Sequence, residues 1–211
     1  MSYQVKEIFY TLQGEGTHAG RPAVFCRFSG CNLWSGREAD RSNATCQFCD
    51  TDFIGVDGVG GGSFASAAEL ADRIETYWPK MQTAKPFVVC TGGEPLLQLD
   101  VDLIDVLHSR RFEVAVETNG TIAAPVGIDW ICVSPKAKAT LRQFSGHELK
   151  LVFPQVGVQP KELESLDFER FYLQPMDGIN LAANTAKAIE YCLHNPQWRL
   201  SVQTHKVLGL R

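Results

Sequence analysis

The sequence predicts an α/β fold, an incomplete and partly opened (β/α) barrel of the TIM type with parallel strands in a single domain. Short apolar runs recur along the chain, and each ends in a polar or glycine-rich cluster, as in barrels whose functional groups gather at the carboxyl ends of the strands. The chain has 211 residues, fewer than the roughly 250 of a complete eight-fold barrel. Several connections are too short for a helix, so we expect an incomplete barrel. A doubly wound open sheet is the alternative fold.

The apolar runs mark the expected strands. They lie at residues 23–28, 86–90, 112–116, 130–133, 149–153, 171–173 and 198–202. Helices are expected between some of them. Ser66 and Glu69 have the spacing of a capping box, and Asp100 is the expected cap of a second helix. A last helix is expected from about 184 to 194, where Asn195 and Pro196 stop it.

Composition narrows the classes of function. Hydrophobic residues make up 45% of the chain, charged residues 21%, and the formal net charge is −4, so this is an ordinary globular composition without the excess of Lys and Arg that nucleic-acid binding needs. A small-molecule substrate is therefore expected. The amino terminus lacks a signal-peptide pattern, and no apolar run approaches the roughly 20 residues that span a bilayer. We expect a cytoplasmic protein without a membrane partner.

Seven cysteines are an odd number for a chain of this size, which favours reduced thiols over disulfides. Four of them lie in apolar stretches and are expected to be small buried hydrophobes: Cys26, Cys90, Cys132 and Cys192. The other three, Cys31, Cys46 and Cys49, lie in one polar stretch in which the last two form a Cys-x-x-Cys pair. A fourth ligand is missing, so this set can hold a metal with one open coordination position. Spacing alone leaves three alternatives: a zinc site with a distant His, a thioredoxin-like redox pair, and an iron–sulfur cluster that leaves one iron for a substrate.

Two further features are candidates for a functional role. Gln13 and Glu15 project from a glycine-flanked loop that follows an apolar approach, and taken alone this loop is a solvated turn. Arg27 interrupts the apolar run 23–28, and a guanidinium there needs an anionic partner. That partner is either a structural ion pair or a bound carboxylate.

The cysteine loop after the first of these apolar runs, together with Thr91, Gly92, Gly93, Glu94 and Pro95 after the second, resembles the radical S-adenosylmethionine (SAM) superfamily. There, three cysteines hold three irons of a 4Fe-4S cluster, and SAM chelates the fourth iron. The usual spacing is Cys-x3-Cys-x2-Cys. This sequence keeps the second gap but inserts residues 32–45 into the first, and their polar composition predicts a surface excursion that returns near its start.

Within that superfamily the chain resembles the 7-carboxy-7-deazaguanine synthase family along nearly its whole length. The matching stretches are 7–9, 12–16, 27–33, 49–51, 117–120 and 133–136. The resemblance implies contraction of 6-carboxy-5,6,7,8-tetrahydropterin to 7-carboxy-7-deazaguanine with loss of ammonia, a lyase step toward queuosine and related 7-deazapurines. It also implies SAM regenerated each turnover, a 4Fe-4S cluster, Mg²⁺, a homodimer and an external electron donor such as flavodoxin. For the tail 205–211 the resemblance implies a cover over the substrate, whereas the residues by themselves are a bare chain end, and both alternatives stay open.

The resemblance assigns roles to individual residues. Cys31, Cys46 and Cys49 would ligate the cluster, and Asp50 and Thr51 would ligate Mg²⁺. The residues implied in SAM binding are Phe48, Cys49, Asp50, Gly92, Gly93, Glu94, Glu117, Asn119, Ser134, Pro135, Lys136, Gln174, Pro175, Met176 and Asp177. Those implied in substrate binding are Leu12, Gln13, Gly14, Glu15, Arg27, Thr91 and Arg211.

Two alternatives stay open at this point. A glycyl-radical-activating enzyme would share the cluster and recognise a protein backbone, but the loop with Gln13 and Glu15 and the position of Arg27 argue against it. A non-catalytic cysteine-rich metal module would bind a macromolecule, and the acidic balance of the chain argues against that.

Overall fold

The structure, a computed structural model, describes residues 2–80 and 83–210. In this part of the chain one sheet holds nine strands, in the order β3-β1-β2-β4-β5-β6-β7-β8-β9. The strands are β1 (Tyr3–Leu12), β2 (Pro22–Phe28), β3 (Gly62–Phe64), β4 (Phe87–Gly92), β5 (Glu113–Thr118), β6 (Trp130–Val133), β7 (Ser145–Phe153), β8 (Asp167–Pro175) and β9 (Trp198–Leu200). The α-helices are α1 (Ala67–Glu75), α2 (Val101–Ser109), α3 (Pro160–Leu163), α4 (Leu181–His194) and α5 (Thr204–Leu208).

The predicted fold class is confirmed: β2 and β4 to β9 pair in parallel, and no pairing joins the two outer strands β3 and β9 within the described residues. One edge departs from the expected parallel arrangement, because β1 runs antiparallel to both β2 and β3. The reason is the short connection between β1 and β2, in which Gln13 N donates to Arg21 O and Gly20 N donates to Gln13 O. A short return of this kind can join only antiparallel neighbours.

Side chains cap the amino ends of α1 and α2. Ser66 Oγ accepts from Glu69 N at 3.2 Å, and the Glu69 carboxylate accepts from Ala65 N at 2.7 Å. Asp100 Oδ1 accepts from Leu103 N at 3.0 Å, as expected of a cap. Helix α4 begins at Leu181, earlier than the expected position 184. Asn184 therefore lies inside the helix.

The main core lies on the helix-covered face of the sheet, and a smaller cluster of Ala23, Phe87, Val89 and Ala115 lies on the opposite face. One cluster packs α1 and α2 against β1, β2, β4 and β5, and a second packs α4 against β7, β8 and β9. Cys26, Cys90 and Cys132 are buried in or beside these clusters, as predicted, whereas Cys192 is half-buried. Burial raises the pKa of the Cys90 thiol to about 12. No helix in the described ranges has the length and apolar character needed to cross a membrane.

Asp100 supports two elements at once, because the oxygen that caps α2 also accepts from the buried Tyr3 hydroxyl at 2.7 Å. We expect Asp100→Ala to lower the free energy of unfolding by about 2 kcal/mol, since it removes a helix cap and leaves a buried hydroxyl without its acceptor. Denaturant titration measures this loss. Asp102→Ala, an exposed change in the first turn of the same helix, is the matched control. Equal losses in the two variants would contradict the assignment.

Candidate active site

The carboxyl ends of the parallel strands surround a cavity of about 360 Å³, within the usual range of about 300–1,000 Å³ for small-molecule sites. Most residues with a predicted role line it: Leu12, Gln13, Gly14, Glu15, Arg27, Cys31, Cys46, Phe48, Cys49, Asp50, Thr51, Thr91, Gly92, Gly93, Glu117, Asn119, Ser134, Lys136, Gln174, Pro175, Met176 and Asp177. Glu94 and Pro135 are buried beside the cavity without lining it. Arg211 lies outside the described residues. Groups far apart in the chain therefore share one site.

The segment 32–45 makes the expected excursion and returns. It contains a 3₁₀ turn at Glu38–Asn43, after which Thr45 N and Cys46 N both donate to Leu33 O, at 3.1 and 3.4 Å. Arg41 ties the excursion to the Cys-x-x-Cys segment, because its guanidinium donates to the carbonyl oxygens of Gln47 and Cys49, both at 3.0 Å. Residues 32–45 between Cys31 and Cys46 therefore form a loop that returns Cys46 to a position beside Leu33.

The three thiols line the same cavity. Cys46 donates to Cys49, and this hydrogen bond lowers the pKa of Cys49 to about 6 and raises that of Cys46. Burial raises the pKa of the Cys31 thiol. Among the residues that the structure describes, no group of three or more His, Cys, Asp or Glu side chains forms a site for a single metal ion. A 4Fe-4S cluster takes its thiolates on separate irons, and three thiols around one cavity are compatible with that arrangement.

The ends of β2 and β4 approach so closely that side chains are excluded between them. A Cβ on Gly92 would lie 2.2 Å from Phe28 O, and one on Gly93 would lie 2.1 Å from Gly30 O. Gly92 also has φ +137°, a backbone conformation that favours glycine. Hydrogen bonds from Gly93 N to Phe28 O and from Glu94 N to Gly30 O join the two strand ends. This contact holds Cys31 next to the glycines.

Glu94 does not line the cavity and is completely buried. Its carboxylate accepts from Thr118 Oγ1 at 2.7 Å, from Asn119 N at 2.8 Å and from Leu96 N at 3.0 Å. Burial raises the pKa of Glu94 despite these donors. Here the carboxylate holds the end of β5, and Asn119 Nδ2 in turn donates to Asn32 Oδ1 in the cysteine loop at 3.0 Å. A direct contact of Glu94 with SAM stays a prediction.

The other residues implied in SAM binding come from the ends of β6 and β8. Lys136 Nζ donates to Ser134 O at 2.8 Å and to Ser134 Oγ at 2.7 Å, and it lies 5.9 Å from the ring centre of Phe48. Burial lowers the pKa of Lys136. The backbone after β8 is held by Asn184, whose Nδ2 donates to Met176 O at 2.9 Å.

The loop with Gln13 and Glu15 lies over a buried charge. Glu15 Oε2 accepts from Lys150 Nζ at 2.5 Å, and its other oxygen accepts from Gln174 at 3.1 Å and Gln203 at 3.0 Å. Burial alone would raise the pKa of Glu15, but the charge and hydrogen bond of Lys150 outweigh it and lower the pKa to about 2. Gln13 Nε2 donates to Glu117 Oε1 at 2.8 Å. The loop therefore presents an ionised carboxylate at the cavity.

Arg27 has the structural ion pair that was one of its two expected partners. Its Nε donates to Glu7 Oε1 at 2.9 Å. Both side chains line the cavity, and Arg27 pairs in register with Thr91 of the neighbouring strand. A contact of Arg27 or Thr91 with a substrate carboxylate stays a prediction.

The tail folds over the cavity. Thr204 donates to Gly14 O from both N and Oγ1, at 3.0 and 2.8 Å. A Cβ on Gly14 would lie 2.2 Å from His205 Nδ1, so glycine allows α5 to pack on the loop. Lys206 bridges Asp50 and Asp177 across the mouth. This placement favours the tail as a cover.

Lys150 and Gln203 line the cavity and were not found from the sequence, while His205 and Lys206 were named only as members of the tail 205–211. Lys150 carried a usable signal, because it interrupts the apolar run 149–153 as Arg27 interrupts 23–28. The tail residues carried no comparable signal, since their partners lie nearly two hundred positions away, as between Thr204 and Gly14.

A partly open parallel barrel with three thiols beside a glycine-lined strand end defines a radical SAM enzyme. No family model matches the chain. The 7-carboxy-7-deazaguanine synthases of Bradyrhizobium diazoefficiens and Caulobacter vibrioides are 67% and 65% identical to it, with 100% of each chain covered. The crystal structure of QueE from Escherichia coli superposes with a TM-score of 0.72 at 29% identity, covering 97% of this chain and 95% of that one. The chain belongs to the 7-carboxy-7-deazaguanine synthase family, and neither alternative is favoured.

The depressed pKa of Glu15 makes stability depend on pH. Its folded value of about 2 lies below its ordinary value of 4.5, so its stabilisation is fully present above 4.5 and is lost as pH falls toward the folded value. We expect Glu15→Gln to cost about 3 kcal/mol near neutral pH, because it leaves Lys150 buried without its closest partner. Denaturant unfolding of both proteins between about pH 6 and about pH 4 should show this difference shrinking as pH falls. A difference that grows toward acid pH would contradict the ionised state of Glu15.

Proposed function

We propose that this chain converts 6-carboxy-5,6,7,8-tetrahydropterin to 7-carboxy-7-deazaguanine with loss of ammonia, as a step toward queuosine and related 7-deazapurines. The observation that supports this most is that the Glu15 loop and the three thiols line one cavity. A substrate held by the loop would therefore lie beside the SAM and the cluster. The identity to the curated synthases over the full chain supports the same proposal.

The proposed cluster ligands are Cys31, Cys46 and Cys49, whose thiols line one cavity. When bound and reduced, a 4Fe-4S cluster supplies the electron that cleaves the sulfur–carbon bond of SAM, which requires the low end of the roughly −700 to +450 mV range of such centres. The fixed contact between Gly93 and Gly30 keeps the glycine-lined strand end beside this loop. SAM held at that strand end would lie next to the open iron.

The SAM-binding residues proposed from the family act through different groups. Gly92 and Gly93 present backbone without side chains, and Glu117 and Asn119 end the neighbouring strand. The hydroxyl of Ser134 and the ammonium of Lys136 suit a carboxylate or the ribose hydroxyls. Glu94 would contribute through Asn119, whose backbone it holds. The remaining members of the set, Phe48, Cys49, Asp50, Pro135, Gln174, Pro175, Met176 and Asp177, lie on or next to the cavity wall.

On the substrate side, the ionised Glu15 can accept hydrogen bonds from the ring and exocyclic nitrogens of a pterin when these nitrogens replace the Gln174 and Gln203 donors at its Oε1. Gln13, Gly14 and Leu12 lie in or beside the same loop, and Arg27 and Thr91 lie across the cavity. A site that pairs with the polar edge of a ligand rejects analogues strongly, because they leave buried groups unpaired. The carboxylate of the substrate would add its charge to the pair of Arg27 with Glu7.

We propose Asp50 and Thr51 as the protein ligands of Mg²⁺. Both line the cavity, and oxygen ligands completed by water and substrate oxygens are what this ion prefers. Asp50 is also held by Lys206, so binding of the ion would weaken or replace that bridge. The ion would polarise the substrate during the rearrangement.

The remaining proposals concern the oligomeric state of the enzyme, its electron donor and its cellular compartment. We propose a homodimer, supported by the family pattern and by apolar side chains exposed on α4, where Leu193 is 79% and Ile189 41% exposed. We propose flavodoxin, or a protein like it, as electron donor. All seven cysteines are free thiols, which supports work in the reducing cytoplasm.

Anaerobic reconstitution tests the function. The chain is supplied with iron, sulfide, reductant, SAM and the carboxypterin, and we expect 7-carboxy-7-deazaguanine and one ammonia for each carboxypterin consumed. Chromatography with mass detection measures the product. Glu15→Gln should lose far more affinity for the carboxypterin than for SAM, because Glu15 is a proposed substrate ligand and is not among the proposed SAM ligands. Cleavage of SAM without this product would favour the glycyl-radical activase, and one tightly held zinc without a brown chromophore would leave only the metal module.

Thr51→Ala tests the magnesium proposal. The variant loses one oxygen ligand and keeps Asp50, so we expect half-maximal turnover to need about tenfold more Mg²⁺, with SAM affinity little changed. Titration of the ion at saturating substrates measures this. Thr76→Ala, at an exposed threonine that follows α1 and does not line the cavity, is the control. The same magnesium requirement in Thr51→Ala and wild type would remove Thr51 from the site.

A further inference from the structure

Lys150 is a buried cation with no role in the proposed function so far. It lies in β7 between Leu149 and Leu151, which face the outer core, so its own side chain points into the barrel. The residue is 3% exposed. Its Nζ lies 2.5 Å from Glu15 Oε2 and 3.5 Å from Glu117 Oε1. One ammonium group therefore joins a carboxylate on the substrate side to another on the SAM side.

This arrangement matters because charges are costly to bury alone. Removal of one partner from a buried ion pair leaves an uncompensated charge. Burial would lower the pKa of Lys150, but the charges of Glu117 and Glu15 outweigh it and raise that pKa well above its usual range. Lys150 is therefore an ammonium throughout the working range of pH, and Glu15 stays ionised beside it.

We propose that Lys150 is a positioning residue that keeps Glu15 oriented and ionised for the polar edge of the pterin and couples it to Glu117 on the SAM side. This inference rests on the proposed function. Lys150 acts through Glu15, since Glu15 Oε2 lies against its Nζ while Glu15 Oε1 is held by Gln174 and Gln203. Rotation of the carboxylate is thus restricted at both oxygens.

The groups around Lys150 and Glu15 determine what happens to Glu15 when Lys150 is removed. Without Lys150, burial favours protonation of Glu15, which would turn one acceptor into a donor facing the donors of the pterin. His205 faces Glu15 from α5, while Glu148 and Cys132 face Lys150 from β7 and β6. In the turn after β6, burial and the positive charge of Lys150 both lower the pKa of Lys136. None of these groups is hydrogen-bonded to Glu15 in the described residues, so none replaces the ammonium directly.

The test compares Lys150→Met with Arg21→Met in the reconstituted, SAM-loaded enzyme. Arg21 makes a two-pronged ion pair with Glu113 at 2.8 Å, at the opposite ends of the strands from the cavity, so its loss controls for a general loss of stability. Calorimetric titration with the carboxypterin measures binding from about pH 6 to about pH 8.5. We expect Lys150→Met to bind about tenfold more weakly at the acid end and to recover as pH rises. Arg21→Met and wild type should show flat profiles.

Two further variants identify the route. In the Lys150→Met background, Glu15→Gln should cause little additional loss of carboxypterin affinity, because both changes disable the same acceptor. Lys150→Arg keeps the charge and should keep the flat pH profile. It also provides the comparison if Lys150→Met fails to fold, since an acid-weakened profile in Lys150→Arg would then overturn the inference.

The outcomes separate the inference from the proposed function. Equal carboxypterin affinity in Lys150→Met and Arg21→Met at every pH, or fully additive losses with Glu15→Gln, would overturn the role of Lys150 while wild type still forms product. Failure of wild type to bind or convert the carboxypterin would overturn the proposed function itself, and the inference with it.

Discussion

The close contact between the ends of β2 and β4 is the constraint on which the site depends. Gly92 and Gly93 approach the backbone of 28–30 so closely that no side chain fits between them, and backbone hydrogen bonds fix the contact. Because β2 leads directly into Cys31, this contact places the cysteine loop beside the glycine-lined strand end. In the proposed function, the distance between the cluster and SAM would thus be set by backbone packing, which is more rigid than side-chain contacts.

The second support of the site is electrostatic. The buried Lys150 lies between the carboxylates of Glu15 and Glu117. The side-chain amides of Gln174 and Gln203 donate to the other oxygen of Glu15. In such surroundings charge interactions are strong, and an unpaired member is costly. Lys150 pairs with Glu15 on the proposed substrate side of the cavity and also faces Glu117 on the proposed SAM side. The two sides are therefore not independent.

The carboxyl-terminal segment completes the enclosure. Thr204 holds the backbone of Gly14, and Lys206 joins Asp50 of the cysteine loop to Asp177 after β8. A cover of this kind excludes water from the reacting groups and strengthens the interactions beneath it. It also explains why Gly14 has no side chain, because the His205 ring occupies that position.

The sequence by itself predicted the fold class and singled out the three cysteines, since apolar runs that end in polar clusters predict parallel strands with a shared functional rim. Its resemblance to a known family implied most of the lining residues. The sequence also located Arg27, where a charge interrupts an apolar run, and the same reasoning would have singled out Lys150. Only the tertiary structure decided that β1 and β3 run antiparallel, that Glu94 is buried against the end of β5, that Arg27 pairs with Glu7, and that the tail covers the site. The physical reason is that periodicity and residue type report on local burial, whereas these features depend on contacts between segments distant in the chain, and no local pattern encodes which buried charge meets which partner.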